Sequence, residues 1–249
     1  MKLLLLAATH GVEEQSSYFV NQFVKNYRQD LLHLVKVDSL FKFSLSEMLG
    51  VKASSYEENC TQLKLDGKFT SKAKSNLIVS LPVLNPHGLA HQTRSNANDV
   101  DLNRNLPSKN WASAKFRIDG QKNPYYPGEF PSSEIETQIL CKIIEAFKIE
   151  LIMSFHTNHF IQNENPPQIN YDGTIKHKKW AEQLAAKTKL PFTEDIGYPT
   201  PGSLGSYSKE KNIDCITVEF DDKLDGETIS KNYQESFLTS IQELFPGKA

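Results

Sequence analysis

A chain of 249 residues is long enough for one large α/β domain with a sizeable core, and nothing in its composition forces a second domain. Its 28 basic against 30 acidic side chains leave a formal charge of -2, which gives no electrostatic footprint for nucleic acid or an anionic membrane. Cys60, Cys141 and Cys215 are widely spaced and form no CxxC pair, which argues against a disulfide framework or a thiolate zinc site and fits a reducing compartment.

The chain opens on the apolar run Leu3 to Ala8, which reads as the first strand of the mature protein. Its likeness to a signal peptide is superficial, because the run is short and passes straight into His10 without a separate cleavage region. Phe19, Val20, Phe23 and Val24 predict a helix directly afterwards. Residues 39–75 are mostly polar, rich in Ser and Lys and without a sustained period. They read as an insertion, either a lid or a solvated loop, in a single catalytic domain spanning 1–249. Leu77 to Leu84, Glu150 to Phe155 and Asp214 to Phe220 are short runs of the Leu, Ile and Val-rich kind that buried parallel strands show. Ser133-x-x-Glu136 has the spacing of a capping box ahead of Ile135, Ile139, Leu140, Ile143, Ile144 and Phe147, an apolar stripe at helical spacing. Weaker stripes through Trp180 and Leu184, and through Ile229, Tyr233, Phe237 and Ile241, predict two more helices. Residues 157–172 and 196–206 read as loops, and no stretch approaches the ~18 apolar residues of a membrane span. The alternation predicts a three-layer αβα sandwich around a mainly parallel sheet.

Three of these strands end on ionisable residues. Thr9-His10-Gly11-Val12-Glu13 follows the first, His156 closes Leu151-Ile152-Met153-Ser154-Phe155-His156, and Glu219 lies in Cys215-Ile216-Thr217-Val218-Glu219-Phe220. In an open α/β sheet the carboxyl ends of neighbouring strands converge on one crevice. His10, Glu13 and His156 together supply the two near ligands and one distant ligand that a hydrolytic zinc site uses. His156 also fits a core histidine bonded to backbone. Glu219 would be costly to bury unpaired, so it either meets a Lys or Arg or serves as a general base. The polar stretch Arg94 to Asn105 follows a strand and Asn85-Pro86-His87-Gly88. Within it Arg104 offers a planar fork for a carboxylate, Asn103 an amide donor, Arg94 an oxyanion partner, and Asp101 a carboxylate to orient a ligand imidazole. A simple run of turns accounts for the same composition.

Taken together these residues resemble the zinc metallocarboxypeptidases, and within them the bacterial murein tripeptide amidases. The resemblance rests on Thr-His-Gly-x-Glu at 9–13, Arg94-x-Asn-Ala-Asn, Val-Asp-Leu-Asn-Arg-Asn at 100–105, Ser-Phe-His at 154–156, Thr-Pro-Gly-Ser-Leu-Gly-Ser at 200–206 and Cys-Ile-Thr-Val-Glu-Phe at 215–220, in the family's order over almost the whole chain. It implies a mixed sheet of about eight strands and one Zn2+ bound by His10, Glu13 and His156. It implies Glu219 as general base, Arg94 polarising the scissile carbonyl, Asn103 and Arg104 holding the C-terminal carboxylate, and Leu204 facing the specificity pocket. The pocket tyrosine of the family falls on Tyr198 or Tyr207, of which Tyr198 is the choice here. His159 lies close enough in sequence to His156 to reach the site or to sit on a loop surface. The family's Asn-Pro-Asp-Gly has His87 in place of Asp, and Asp99 stands where it often has Gly.

The implied substrate is a small peptide, the murein tripeptide L-Ala-γ-D-Glu-meso-diaminopimelate, cut between its last two residues during wall recycling in the cytoplasm. The same residue logic suits an N-acyl amino acid deacylase of the desuccinylase or aspartoacylase type, or a non-catalytic zinc-dependent wall-peptide binding protein. Asn105 and Thr200-Pro201-Gly202-Ser203 point away from the first, and an intact Glu219 away from the second.

Overall fold

A strand sends alternate side chains to opposite faces, so apolar runs of this kind need a sheet covered on both sides. The computed structural model of the chain describes residues 1–27, 77–113, 123–158 and 166–245, together with the backbone of 34–36. Among the described residues one sheet holds β1 (Lys2–Leu6), β2 (Leu34–Lys36), β3 (Leu77–Leu81), β4 (Leu151–Thr157), β5 (Gln168–Asp172), β6 (Phe192–Thr193) and β7 (Asp214–Phe220). Their order is β2-β3-β1-β4-β7-β5-β6, and every pairing is parallel except β5 against β7. The helices are α1 (Glu14–Tyr27), α2 (Pro86–His91), α3 (Ile135–Phe147), α4 (Lys178–Thr188), α5 (Leu204–Glu210) and α6 (Gly226–Glu243), with one 3-10 turn at Leu102–Arg104.

Two cores lie on opposite faces of this sheet. On the first, Leu3, Leu5, Met153, Phe155, Ile216, Val218 and Phe220 meet Phe19 and Phe23 of α1, Trp180 and Leu184 of α4, and Phe237 and Ile241 of α6. On the second, Leu4, Leu6, Val79, Leu81, Ile152 and Cys215 meet the apolar stripe of α3 and Leu204 and Tyr207 of α5. The mixed, helix-covered α/β sheet is the predicted architecture. β1 lies between β3 and β4, so the chain's path reverses direction across the sheet there, the place where α/β folds open a crevice.

Among the described residues the sheet has seven strands, in keeping with the implied count of about eight. Several local expectations are corrected. The strand predicted at Leu77 to Leu84 stops at Leu81 because Pro82, which follows, has no N–H for the ladder. Ser133 and Glu136 form no capping box: the helix N-cap is Glu134, with no side-chain cap. Ser133 Oγ instead donates to Glu134 Oε1 at 2.7 Å and accepts from Asn105 Nδ2 at 2.9 Å. The span 157–172, read as loop, contains the end of β4 and all of β5, and α5 begins inside the loop predicted at 196–206. The insertion at 39–75 and His159 lie outside the described residues.

Candidate metal centre and substrate cleft

At the carboxyl ends of β4 and β7 the second face changes character. Ile152 and Cys215 are core, but Ser154 and His156, two and four residues further along β4, and Thr217 and Glu219 along β7 line a cleft. Parallel register sets His156 directly beside Glu219. β5 joins from the other side, turning Ile169 and Tyr171 into the first core and Asn170 and Asp172 toward the cleft.

His10 and Glu13 reach the same cleft from the turn after β1. Ala8 takes a left-handed conformation with φ 45°, which ends the strand, and its N–H donates to Ser16 Oγ at 3.2 Å. Gly11 is required for the next step, since a Cβ there would lie 1.8 Å from the carbonyl carbon of Gly88 in α2. This close crossing folds the turn back so that Glu13 Oε1 lies 2.6 Å from His10 Nδ1 and Oε2 lies 2.8 Å from His156 Nδ1. One ligand atom from each of His10, Glu13 and His156 falls within 4.8 Å of the others, and all three residues are buried. Each imidazole has its second nitrogen fixed. His10 Nε2 is 3.1 Å from Asp101 Oδ1 and His156 Nε2 is 2.9 Å from Ser154 Oγ, which leaves both Nδ1 atoms directed at one point.

The charges are mutually arranged. Burial opposes the ionisation of Glu13, but His10 and His156 hold its carboxyl well below the usual carboxylate range. Burial likewise opposes Asp101, yet Arg94, His10 and Arg104 hold it well below that range. Arg94 Nε donates to Asp101 Oδ2 at 3.0 Å, so one carboxylate braces both an imidazole and a guanidinium. Glu219 is different. Burial pushes it up to about 8, against the opposing pull of His156, and its Oε2 is buried without a hydrogen-bond partner. An ion pair with Lys or Arg, the alternative open from sequence, is not formed by Glu219 among the described residues. A soft-metal thiolate site is ruled out by the donor set, whereas two imidazoles and a carboxylate beside an orphaned buried carboxylate suit Zn2+ with an open coordination position.

Arg94, Asn103 and Arg104 line the same cleft. Arg104 Nη1 donates to the carbonyl of Asn103 at 2.7 Å, and Asn103 Oδ1 accepts from the Leu204 N–H at 2.9 Å. Leu204 lines the cleft while most of its side chain is buried in the second core. Tyr198 lines the cleft and is partly exposed, whereas Tyr207 is buried in the second core. Tyr125, not singled out from sequence, lies under both guanidinium groups, 5.0 Å from Arg94 Cζ and 5.4 Å from Arg104 Cζ at its ring centroid. Its only local signal is an aromatic pair, Tyr125-Tyr126, before Pro127. The arginine-bearing loop is anchored from behind by Glu134, whose Oε2 accepts from Asn96 Nδ2 at 2.7 Å and Asn98 Nδ2 at 2.8 Å.

Comparison with known proteins agrees with this geometry. A family model described as zinc carboxypeptidase matches residues 57–237, which takes in His156 and Glu219 while His10 and Glu13 precede the matched span. Murein peptide amidase A of Escherichia coli strain K12 is 36% identical over 143 residues, covering 55% of this chain and 55% of that protein. Murein peptide amidase A of Vibrio campbellii is 29% identical over 177 residues, covering 68% of this chain and 65% of the relative. The chain thus spans about half the length of the Escherichia coli relative it matches and somewhat more of the Vibrio one. The crystal structure of murein-tripeptide amidase MpaA from Escherichia coli O157 superposes with a TM-score of 0.64 at 26% identity, covering 96% of this chain and 80% of that one. The matched span, the fold and the placement of His10, Glu13 and His156 around one point together identify the chain as a member of the zinc carboxypeptidase family.

Proposed function

We propose that the chain hydrolyses the amide bond preceding a C-terminal residue with a free carboxylate, acting on murein tripeptide between γ-D-glutamate and meso-diaminopimelate during wall-peptide recycling in the cytoplasm. The observation that carries the hydrolytic reading is Glu219, a buried carboxylate with an unpartnered oxygen in the cleft of His10, Glu13 and His156. The names of the relatives, murein peptide amidase A, support the substrate. The free thiols of Cys141 and Cys215 are in keeping with a reducing compartment.

His10, Glu13 and His156 would hold one zinc ion, which when bound supplies Lewis acidity to the scissile carbonyl and makes a water molecule more acidic. Glu219 takes a proton from the attacking water and returns it to the leaving amine. Its raised affinity for protons makes it a stronger base than an ordinary carboxylate. Arg94, held through Nε by Asp101, keeps its terminal nitrogens for the oxygen on which negative charge develops. Arg104 offers its guanidinium fork, and Asn103 its amide N–H2, to the free carboxylate of the residue released. Tyr198 and Leu204 both line the cleft, where Tyr198 would face the substrate and Leu204 would border the pocket for the released side chain.

Zinc-loaded protein incubated with murein tripeptide and followed by mass spectrometry tests this reading. The expected result is release of diaminopimelate, abolished by a chelator and by Glu219→Gln. Tight tripeptide binding without release, or faster hydrolysis of N-acyl aspartate or glutamate than of the tripeptide, would overturn it.

A further inference from the structure

Two arginines share one wall of the cleft, and they are held in different ways. Arg94 is paired through Nε with Asp101 at 3.0 Å. Arg104 is only 6% exposed and forms no ion pair among the described residues. Its one side-chain hydrogen bond there runs from Nη1 to the carbonyl of Asn103. A buried cation without a counter-ion is costly, and a second cation on the same wall adds repulsion.

The ring of Tyr125 meets both charges, with its centroid 5.0 Å from Arg94 Cζ and 5.4 Å from Arg104 Cζ. The negative face of an aromatic ring attracts a guanidinium without accepting its in-plane hydrogen bonds, so the N–H donors stay available. A carboxylate in the same place would use those donors and repel the carboxylate of a substrate. The backbone around the ring is fixed. The Tyr125 N–H donates to Asn123 Oδ1 at 3.0 Å, and the next two carbonyls, of Tyr126 and Pro127, accept at 2.8 Å from the Asp101 N–H and from Asn105 Nδ2, on either side of Arg104 in sequence. The Tyr125 hydroxyl makes no hydrogen bond among the described residues, which leaves the ring face as the part of the side chain that works on the arginines.

We infer that Tyr125 is a positioning residue whose ring holds the guanidinium groups of Arg94 and Arg104 together on one wall and leaves their N–H groups to the substrate. The inference rests on the roles proposed for Arg94 and Arg104 in the same cleft. Arg94 serves the oxygen on which charge develops and Arg104 the free carboxylate, so a single ring links the chemical step to recognition. Its loss acts on kcat through the first arginine and on KM through the second.

Nuclear magnetic resonance of the arginine Nε–H groups in the zinc-loaded full chain reads the contact without turnover, with Arg94→Lys and Arg104→Lys variants assigning the two signals. Protons over a ring face resonate upfield, so Tyr125→Leu is expected to move both signals downfield and Tyr125→Phe to leave them in place. With murein tripeptide, Tyr125→Leu should raise KM about two- to fivefold and lower kcat by a similar factor, the scale of a cation–π contact near the surface, and Tyr125→Phe should restore both. In an Arg104→Gln background Tyr125→Leu should leave KM unchanged, whereas loss of mere packing would act in either background. Arginine signals that ignore Tyr125→Leu, a Tyr125→Phe variant as impaired as Tyr125→Leu, or an undiminished effect on KM beside Arg104→Gln overturns the inference. Absence of tripeptide turnover by the parent would count against the proposed function alone, and the arginine signals would then decide whether Tyr125 holds the pair.

Discussion

Phe155 and His156 are neighbours in β4, as Val218 and Glu219 are in β7, yet each pair divides between two faces of the sheet with opposite chemistry. On the first face Phe155, Phe220, Phe19 and Phe237 form an aromatic cluster, with Phe19 centred 4.9 Å from Phe220 and 5.2 Å from Phe155. On the second face the same strands present His156 and Glu219 to a cleft where a buried oxygen lacks a partner. The apolar face stabilises the fold, by about 2–3 kcal/mol for each fully buried aromatic side chain, and the cleft face spends some of that stability on charge held out of water. Because strand side chains alternate, anchoring Phe155 and Phe220 also fixes His156 and Glu219. The comparison teaches that the site's precision comes from the face that does no chemistry.

The largest contrast is expected from Glu219→Gln. Turnover of murein tripeptide should fall about 10²- to 10⁴-fold, the usual contribution of a positioned general base. The thermal midpoint should stay at or above that of the parent, because the substitution removes a buried carboxylate. A large loss of thermal stability would show that Glu219 belongs to the structural face after all. Phe220→Ala reverses the pattern, with a stability loss of about 3–5 kcal/mol in urea unfolding. A loss under about 1 kcal/mol would mean that the aromatic cluster is not what fixes the strand ends.

The cost of buried charge is measurable at Glu136, which is almost fully buried near the start of α3 and accepts from Asn96 Nδ2 at 3.2 and 3.3 Å. Burial pushes its carboxyl up to about 7, from 4.5. Below 4.5 the group is protonated in both folded and unfolded chains and contributes nothing. As pH rises toward 7 the unfolded chain ionises first, so the native state loses relative stability, by up to about 3 kcal/mol. Glu136→Gln should therefore match the parent near pH 4 and exceed it increasingly up to neutrality. A pH-independent difference between the two unfolding curves would contradict this. The smallest effect is expected from Arg104→Lys, which keeps the charge and loses the fork. KM should rise about tenfold with kcat little changed, and an unchanged KM would remove Arg104 from carboxylate recognition.

The parts that were legible in the sequence are those whose signal is local. β7 has the predicted bounds, Asp214–Phe220, because a strand buried on both faces writes a continuous apolar run. The convergence of His10, Glu13 and His156 was readable because each follows or closes such a run. β5 was missed for the converse reason. Gln168-Ile169-Asn170-Tyr171-Asp172 alternates between core and cleft, and its polar half resembles the loop before it. Ser133 has the spacing of a capping residue but is captured by Asn105, a partner 28 residues away that no local pattern reveals. Tyr125 likewise acquires its meaning only when the fold brings it beside Arg104.

Diffraction from crystals of the full chain grown with one equivalent of zinc, recorded on both sides of the zinc absorption edge, tests the central claim most directly. A single anomalous peak bounded by His10 Nδ1, a Glu13 oxygen and His156 Nδ1, with the Glu219 carboxylate beside its open side, is the predicted result. A peak held by other residues, or none between these three, would contradict the account.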